Sequence, residues 1–296
     1  VALGLLHGCT LTTAQEPLGY GWRITNVQTG RTAILVPTVH LGDSRTERLP
    51  AWLAAAVREA PVVAVELDAW HPENESRLRS CGFTAFSGAM NRVPPAQVAA
   101  IKELADGIVW RDPVAWDALT MKQADDVLAA IAILRSGLTA QQAIDTKAME
   151  LVRRDRQVVL ELESRCAVLK RLNEMVEFSE RRLAEHIDDA RQRVLGRVTG
   201  SAIEAWVTGQ SERFSVEIGE LYDRSQKMRR ELDHGVFARN PAIAQSIKAA
   251  LDTHDQILVL VGALHFVSKG SLLDEFEGGG YRVSRLKISK SGVIER

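Results

Sequence analysis

Cysteine is scarce in this chain: three residues in 296, Cys9, Cys81 and Cys166, with no CxxC pair among them. That spacing excludes a zinc knuckle and a thioredoxin-type dithiol. It leaves two arrangements open, a Cys81–Cys166 disulfide in an oxidising compartment or two free buried thiols. Neither sign of charge is in excess. The 37 Lys and Arg residues against 38 Asp and Glu give a formal net charge of −1. No basic stretch is interleaved with aromatics, so the footprint of a nucleic-acid binder is missing. A tandem repeat of regular period is missing too. Residues 1–15, VALGLLHGCTLTTAQ, are apolar and uncharged, but too short for a membrane-spanning helix. They read as the end of a secretory signal. LHGC at 6–9 resembles a lipobox in which Cys9 becomes the lipidated residue; conventional cleavage near Ala14 is the alternative. Both imply an exported mature protein, periplasmic, secreted or anchored as a lipoprotein, with no transmembrane span.

What is present is ordinary globular material. The chain is 46% hydrophobic and 25% charged, enough for a sizeable core. YGWRITNVQTGRTAILVPTV (20–39) alternates around a Gln-Thr-Gly turn and predicts a hairpin. Residues 44–60 have helical spacing, with Leu49, Leu53, Ala56 and Val57 on one face. PVVAVELDAW (61–70) is a β-branched run suited to a strand buried on both faces. Strand, helix and strand in that order form a βαβ unit with parallel strands. Helical pattern dominates residues 94–252, where only 157–163 looks extended. The charge-dense stretch 162–196 predicts a solvent-exposed helical hairpin or lid, and Gly196, Gly200 and Gly209 are expected to mark helix ends. ILVLVGALHF (257–266), a short helix in SKGSLLDEF and YRVSRLKI make a closing β-α-β. The expected fold is α/β: a central mixed, largely parallel sheet with flanking helices and a helical cap inserted between the two βαβ units. On this reading residues 16–296 form a single domain.

Ligands of open α/β sheets sit past the carboxyl ends of the strands. His40, Glu66 and His265 fall at or near such ends. Two histidines and a carboxylate suit a divalent metal with positions left open for water or substrate, which is what a hydrolytic site requires. Each also has a structural alternative. Neutral imidazole is readily satisfied by backbone groups. A buried Glu66 needs a cation or several donors, and Arg239 is the candidate partner.

In order along the chain, PTVHLGD, VAVELD, AIDTKAMELVRRDRQVVLELES, ARNPAIAQSI and VGALHFVSKGSLLDEFEGGGYRVSRL resemble the motifs of the TraB/PrgY/GumN family. They cover residues 22–286, and the last is the most specific. The family is similar to the Tiki metalloproteases, and more distantly to erythromycin esterases and haem-binding ChaN proteins. The resemblance implies a manganese- or cobalt-type hydrolytic site, with zinc as a further choice, acting on a peptide or protein. His40, Glu66 and His265 would hold the metal. Glu66 would be ligand or general base, Arg239 would stabilise negative charge, and Asn240 would donate to substrate or to a ligand. Asp145 and Glu163 also match motif positions. Pro37 stands where the family has glycine, Ala143 where it has glycine and Ser164 where it has threonine. If the first glycine serves a positive φ or a close approach, proline cannot replace it. That departure favours a non-catalytic envelope protein binding haem, metal or a peptide signal. A third reading is an accessory protein whose histidines are inert.

Overall fold

The computed structural model describes residues 17–68, 81, 88–110, 114–175, 179–267 and 270–288. The proposed signal or lipobox segment with Cys9 lies outside them. The hairpin forms as expected, with β1 at Trp22–Asn26 and β2 at Thr32–Thr38. Helix α1 (Ala51–Glu59) leads to β3 (Val62–Val65). After α2 (Pro95–Leu104), α3 (Met121–Ser136) and α4 (Ile144–Arg154) comes β4 (Val158–Glu161). Helices α5 (Arg165–Met175), α6 (Glu180–Arg191), α7 (Val194–Thr208), α8 (Ser211–Arg224), α9 (Gln226–Gly235) and α10 (Asn240–Leu251) follow. The chain closes with β5 (Gln256–Gly262) and β6 (Tyr281–Arg285).

The six strands form one sheet in the order β4-β3-β5-β2-β1-β6. Neighbours from β4 to β2 run parallel, and β1 is antiparallel to both β2 and β6. The sheet is therefore mixed and largely parallel, as the pattern predicted. Alternation along the strands splits the core into two faces. Ile34, Val36, Val63, Val65, Leu258 and Leu260 join the core shared with α1, α4, α7 and α8. Ala33, Leu35, Val62, Ala64, Val259 and Val261 turn to the other face, against Ile243, Ala244 and Ile247 of α10. Each central strand is apolar on both faces because helices cover both.

Four expectations change. The helix over 44–60 forms only from Ala51, with Pro50 at its N-cap, because proline lacks an N–H and disfavours helical geometry in the residue before it. The charged stretch 162–196 begins at the end of the sheet and is not simply solvated: Leu183, Ile187 and Ala190 of α6 pack with Ile101, Leu104, Leu128 and Ile131 in a separate apolar cluster. Gly196 and Gly200 lie inside α7; only Gly209, at φ +71°, ends it. A Cβ at Gly196 would lie 3.2 Å from Ser136 Cβ, so its small size lets α7 approach the end of α3. Among the described residues, SKGSLLDEF contains a 3-10 turn, Asp274–Phe276, in place of a helix. The segment expected to be extended within 94–252 forms β4 at the sheet edge. Cys81 and Cys166 are joined as a disulfide. No helix among the described residues is long and apolar enough to cross a membrane.

Candidate functional site

The decisive topological fact is the position of β5. It lies between β2 and β3, paired in register with both, so His265 emerges between His40 and Glu66. His40 follows β2 by two residues. His265 sits on a 3-10 turn, Ala263–Phe266, that begins where β5 ends. Beyond β3 and β4 the pairing continues through Leu162 N to Val65 O at 2.8 Å and Glu163 N to Glu66 O at 3.1 Å. Glu66 and Glu163 thus stand side by side.

Gly262 gives the tightest measure of the cluster. A Cβ built there would lie 3.2 Å from Glu66 Oε1, 3.7 Å from His40 Nε2 and 3.8 Å from His265 Cδ2. One point is therefore within 4 Å of all three side chains. Each imidazole is oriented from behind. His40 Nδ1 is 2.5 Å from Asp145 Oδ2. His265 Nδ1 is 2.5 Å from Asn240 Oδ1, and Asn240 Nδ2 donates to Gly270 O at 2.6 Å. The amide's orientation makes Nδ1 of His265 the protonated nitrogen. Its Nε2 then faces Glu66 Oε2 at 3.4 Å. A lone pair aimed at a carboxylate requires a proton or a cation between them.

Glu66 is held from two sides. Its Oε1 accepts the Gly262 N–H at 2.6 Å, and its Oε2 accepts from Arg239 Nη2 at 2.5 Å. Arg239 also donates to Glu163, and through Nη1 to Gly235 O at 3.2 Å. The alternative reading of Glu66 as an arginine partner is thus realised at Arg239. Asn240 is fully buried and has both ends of its amide engaged, so it acts on His265 and not on the open side of the pocket. Pro37 is accommodated as a strand residue opposite Val261. Its carbonyl accepts the Trp206 indole N–H at 2.8 Å.

Asp145 and Glu163 were legible only as motif positions. What brings Asp145 to His40 is a clamp: Gly42 and Thr139 exchange two backbone hydrogen bonds of 2.8 Å, and Ile144 N donates to Val39 O at 3.2 Å. A side chain at Gly42 would meet Gln142 O at 2.0 Å, so the clamp closes only on glycine.

With the carboxylates ionised and both imidazoles neutral, Glu66 and Glu163 share one guanidinium and Asp145 meets His40, leaving two negative charges. Two protons on the histidines or one divalent cation would balance them. Among the described residues, no group of three or more His, Cys, Asp or Glu side chains is poised as a ready-made metal cage; Arg239 already occupies Glu66. The donor chemistry still fits a metal in two respects. Both Nδ1 atoms are tied by oxygen acceptors, the arrangement that presents Nε2 to an ion, and a carboxylate lies beside the rings.

Electrostatics separates the groups. Burial pushes the Glu66 carboxyl up, but His265, Arg239 and the Gly262 N–H outweigh it and hold it well below the usual carboxylate range. The Asp145 hydrogen bond raises His40 against the opposing effect of desolvation. A depressed folded-state pKa means stability that is present above the unfolded value, 4.5, and lost as pH falls through the folded one. In metal-free protein, the stability gap between wild type and Glu66→Gln is therefore expected to narrow as pH falls below about 4.5. Urea midpoints across that window check it; a gap that widens on acidification would refute this account of Glu66.

The cluster opens into a cavity of about 290 Å³ roofed by Leu195, Val198 and Ala202 of α7 and Phe214 of α8. The sequence profile of the TraB/PrgY/gumN family matches residues 21–285. No curated protein and no solved structure matches the chain.

Proposed function

Because this chain belongs to the TraB/PrgY/gumN family, we propose that it is an exported, metal-dependent hydrolase of the Tiki-like peptidase class, with its reacting centre at His40, Glu66 and His265. The observation that carries this reading is the pair of oriented imidazoles. Asp145 and Asn240 tie the two Nδ1 atoms, and both rings meet around Gly262 beside a carboxylate. His40, His265 and Glu66 would hold manganese or cobalt, with zinc the next choice. A divalent cation there supplies Lewis acidity toward a carbonyl and toward water. The chain's own contributions are more specific. Glu66 stays ionised, which suits a metal ligand better than a general base, since a base is most effective with a pKa near the working pH. Arg239 offers a guanidinium where negative charge develops on a substrate oxygen. Asn240 and Asp145 are positioning residues for the two rings. The Cys81–Cys166 disulfide supports export into an oxidising compartment.

A second reading rests on Arg239. Its guanidinium on Glu66 Oε2 at 2.5 Å can serve as the resident cation, leaving a pocket that binds a ligand such as a peptide signal or haem without turnover. Calorimetric titration of manganese, cobalt and zinc into tag-free, chelator-treated protein separates the two. Wild type is expected to bind one equivalent. His265→Ala should bind at least about 100-fold more weakly, since loss of even a supporting residue costs 10–100-fold. Metal-dependent cleavage of a peptide pool should disappear with it. Absence of metal binding in both proteins would leave the arginine-paired binder as the better account.

A further inference from the structure

One face of α7 roofs the cavity at the candidate centre. Leu195, Val198, Thr199 and Ala202 follow one another at i, i+3, i+4 and i+7, and all four line the space. That spacing puts them on one side of the helix. Among the described residues of the lining, charge is confined to the centre's own His40, Glu66, Arg239 and His265. A polar side chain lodged under this roof would be desolvated with nothing to answer it. An aliphatic one gains from each methylene group it buries.

Thr199 interrupts the apolar face. It is only 9% exposed, and its hydroxyl has no hydrogen-bond partner among the described residues. A threonine inside a helix can satisfy its hydroxyl on the carbonyl four residues back. Thr208 of the same helix does so, donating to Glu204 O at 2.8 Å; Thr199 does not. Left unpaired, a hydroxyl this deeply placed costs stability, and valine would fill the same position without that cost. Thr199 lines the cavity that His40 and His265 also line, so a partner can reach it from there.

We propose that Thr199 is a substrate-binding residue. Its hydroxyl bonds a peptide group of the substrate, while the adjoining aliphatic side chain seats against Leu195, Val198 and Ala202. The proposal rests on the reading of His40, Glu66 and His265 as the reacting centre. A cavity of about 290 Å³ is at the small end of ordinary ligand pockets, which suits one side chain with its peptide group. A hydroxyl both donates and accepts, so the N–H and the C=O of that group are equally suitable partners.

Fluorescein-labelled hexapeptides with a central Leu or Asn, alike in shape and different in polarity, test this by anisotropy on the full chain. The Leu peptide is expected to bind about ten-fold more tightly than the Asn peptide. Thr199→Val should weaken the Leu peptide about five-fold, the worth of one neutral hydrogen bond, with a urea midpoint at or above that of wild type. Thr199→Ser, which keeps the hydroxyl, should retain wild-type affinity. Equal binding of the two peptides, or no binding of either, would overturn the proposal. So would unchanged affinity in Thr199→Val, an equal loss in Thr199→Ser, or a Thr199→Val protein less stable than wild type, which would assign the hydroxyl to the fold. Manganese titration of the same samples keeps the two readings apart, and Thr199→Val should take up metal as wild type does. Metal uptake without the leucine preference removes the subsite alone. The leucine preference and the Thr199 effect without metal uptake remove the metal centre alone.

Discussion

Gly262→Ala is expected to lower divalent-metal affinity by at least about 100-fold at nearly unchanged stability. The backbone there has φ −54° and ψ 140°, a region open to any L-residue, so the added methyl brings no backbone strain. Where the methyl goes is the point. It would lie 3.2 Å from Glu66 Oε1, with His40 Nε2 and His265 Cδ2 within 3.8 Å. That is the space an ion shared by the three side chains would need. The stability change should stay within about 1 kcal/mol, because the restriction that alanine imposes on the unfolded chain offsets the cost of the tight approach to Glu66 Oε1. Paired calorimetry and urea denaturation check both halves. Metal binding that survives the substitution would move the ion away from this cluster and leave the histidines without the proposed role.

Arg239→Gln should have the opposite signature, a large loss of stability that metal partly restores. Arg239 bridges Glu66 and Glu163, and all three side chains are less than 20% exposed. Removing the cation leaves two adjacent, largely buried carboxylates, a change that costs about 3–5 kcal/mol when a buried pair is broken. A divalent ion binding only the folded state at 100 times its Kd would return about 2.7 kcal/mol. Thermal denaturation with chelator and with manganese should therefore show a greater metal-induced rise in Tm for the variant than for wild type. Equal rises would indicate that the ion does not compensate for the missing guanidinium. Peptide cleavage, where wild type shows it, should fall in the variant even at saturating metal, since Arg239 also faces the substrate oxygen in the proposed mechanism.

Both experiments act on groups that the sequence marks unevenly. His40, Glu66 and His265 stood out because each interrupts or ends an apolar run where α/β sheets carry their ligands. Arg239 was nameable as a partner for Glu66, since a buried carboxylate demands one. Asn240 was expected to act on substrate or on a ligand residue; its amide bridges His265 and Gly270 O. The direction of a short amide is set by what packs around it, and no periodicity encodes that. Asp145 shows the same limit. It lies 105 residues from His40, and although the clamp that unites them requires glycine at position 42, no local pattern says that Gly42 pairs with Thr139.

What the sequence by itself determined is the kind of fold and the supply of chemistry. Its β-branched runs, separated by helical stretches, require a largely parallel sheet covered on both faces. The family motifs extend over nearly the whole chain. It could not determine the order of the strands. Placing β5, formed from the penultimate strand segment, between β2 and β3 is a tertiary choice. It depends on apolar side chains on both faces of β5 finding matching layers. That choice turns two distant histidines and a glutamate into neighbours. It also settles Pro37, which the sequence alone marked only as a missing glycine. In the folded chain that position is extended strand against Val261, where the parallel pairing makes no demand for a positive φ.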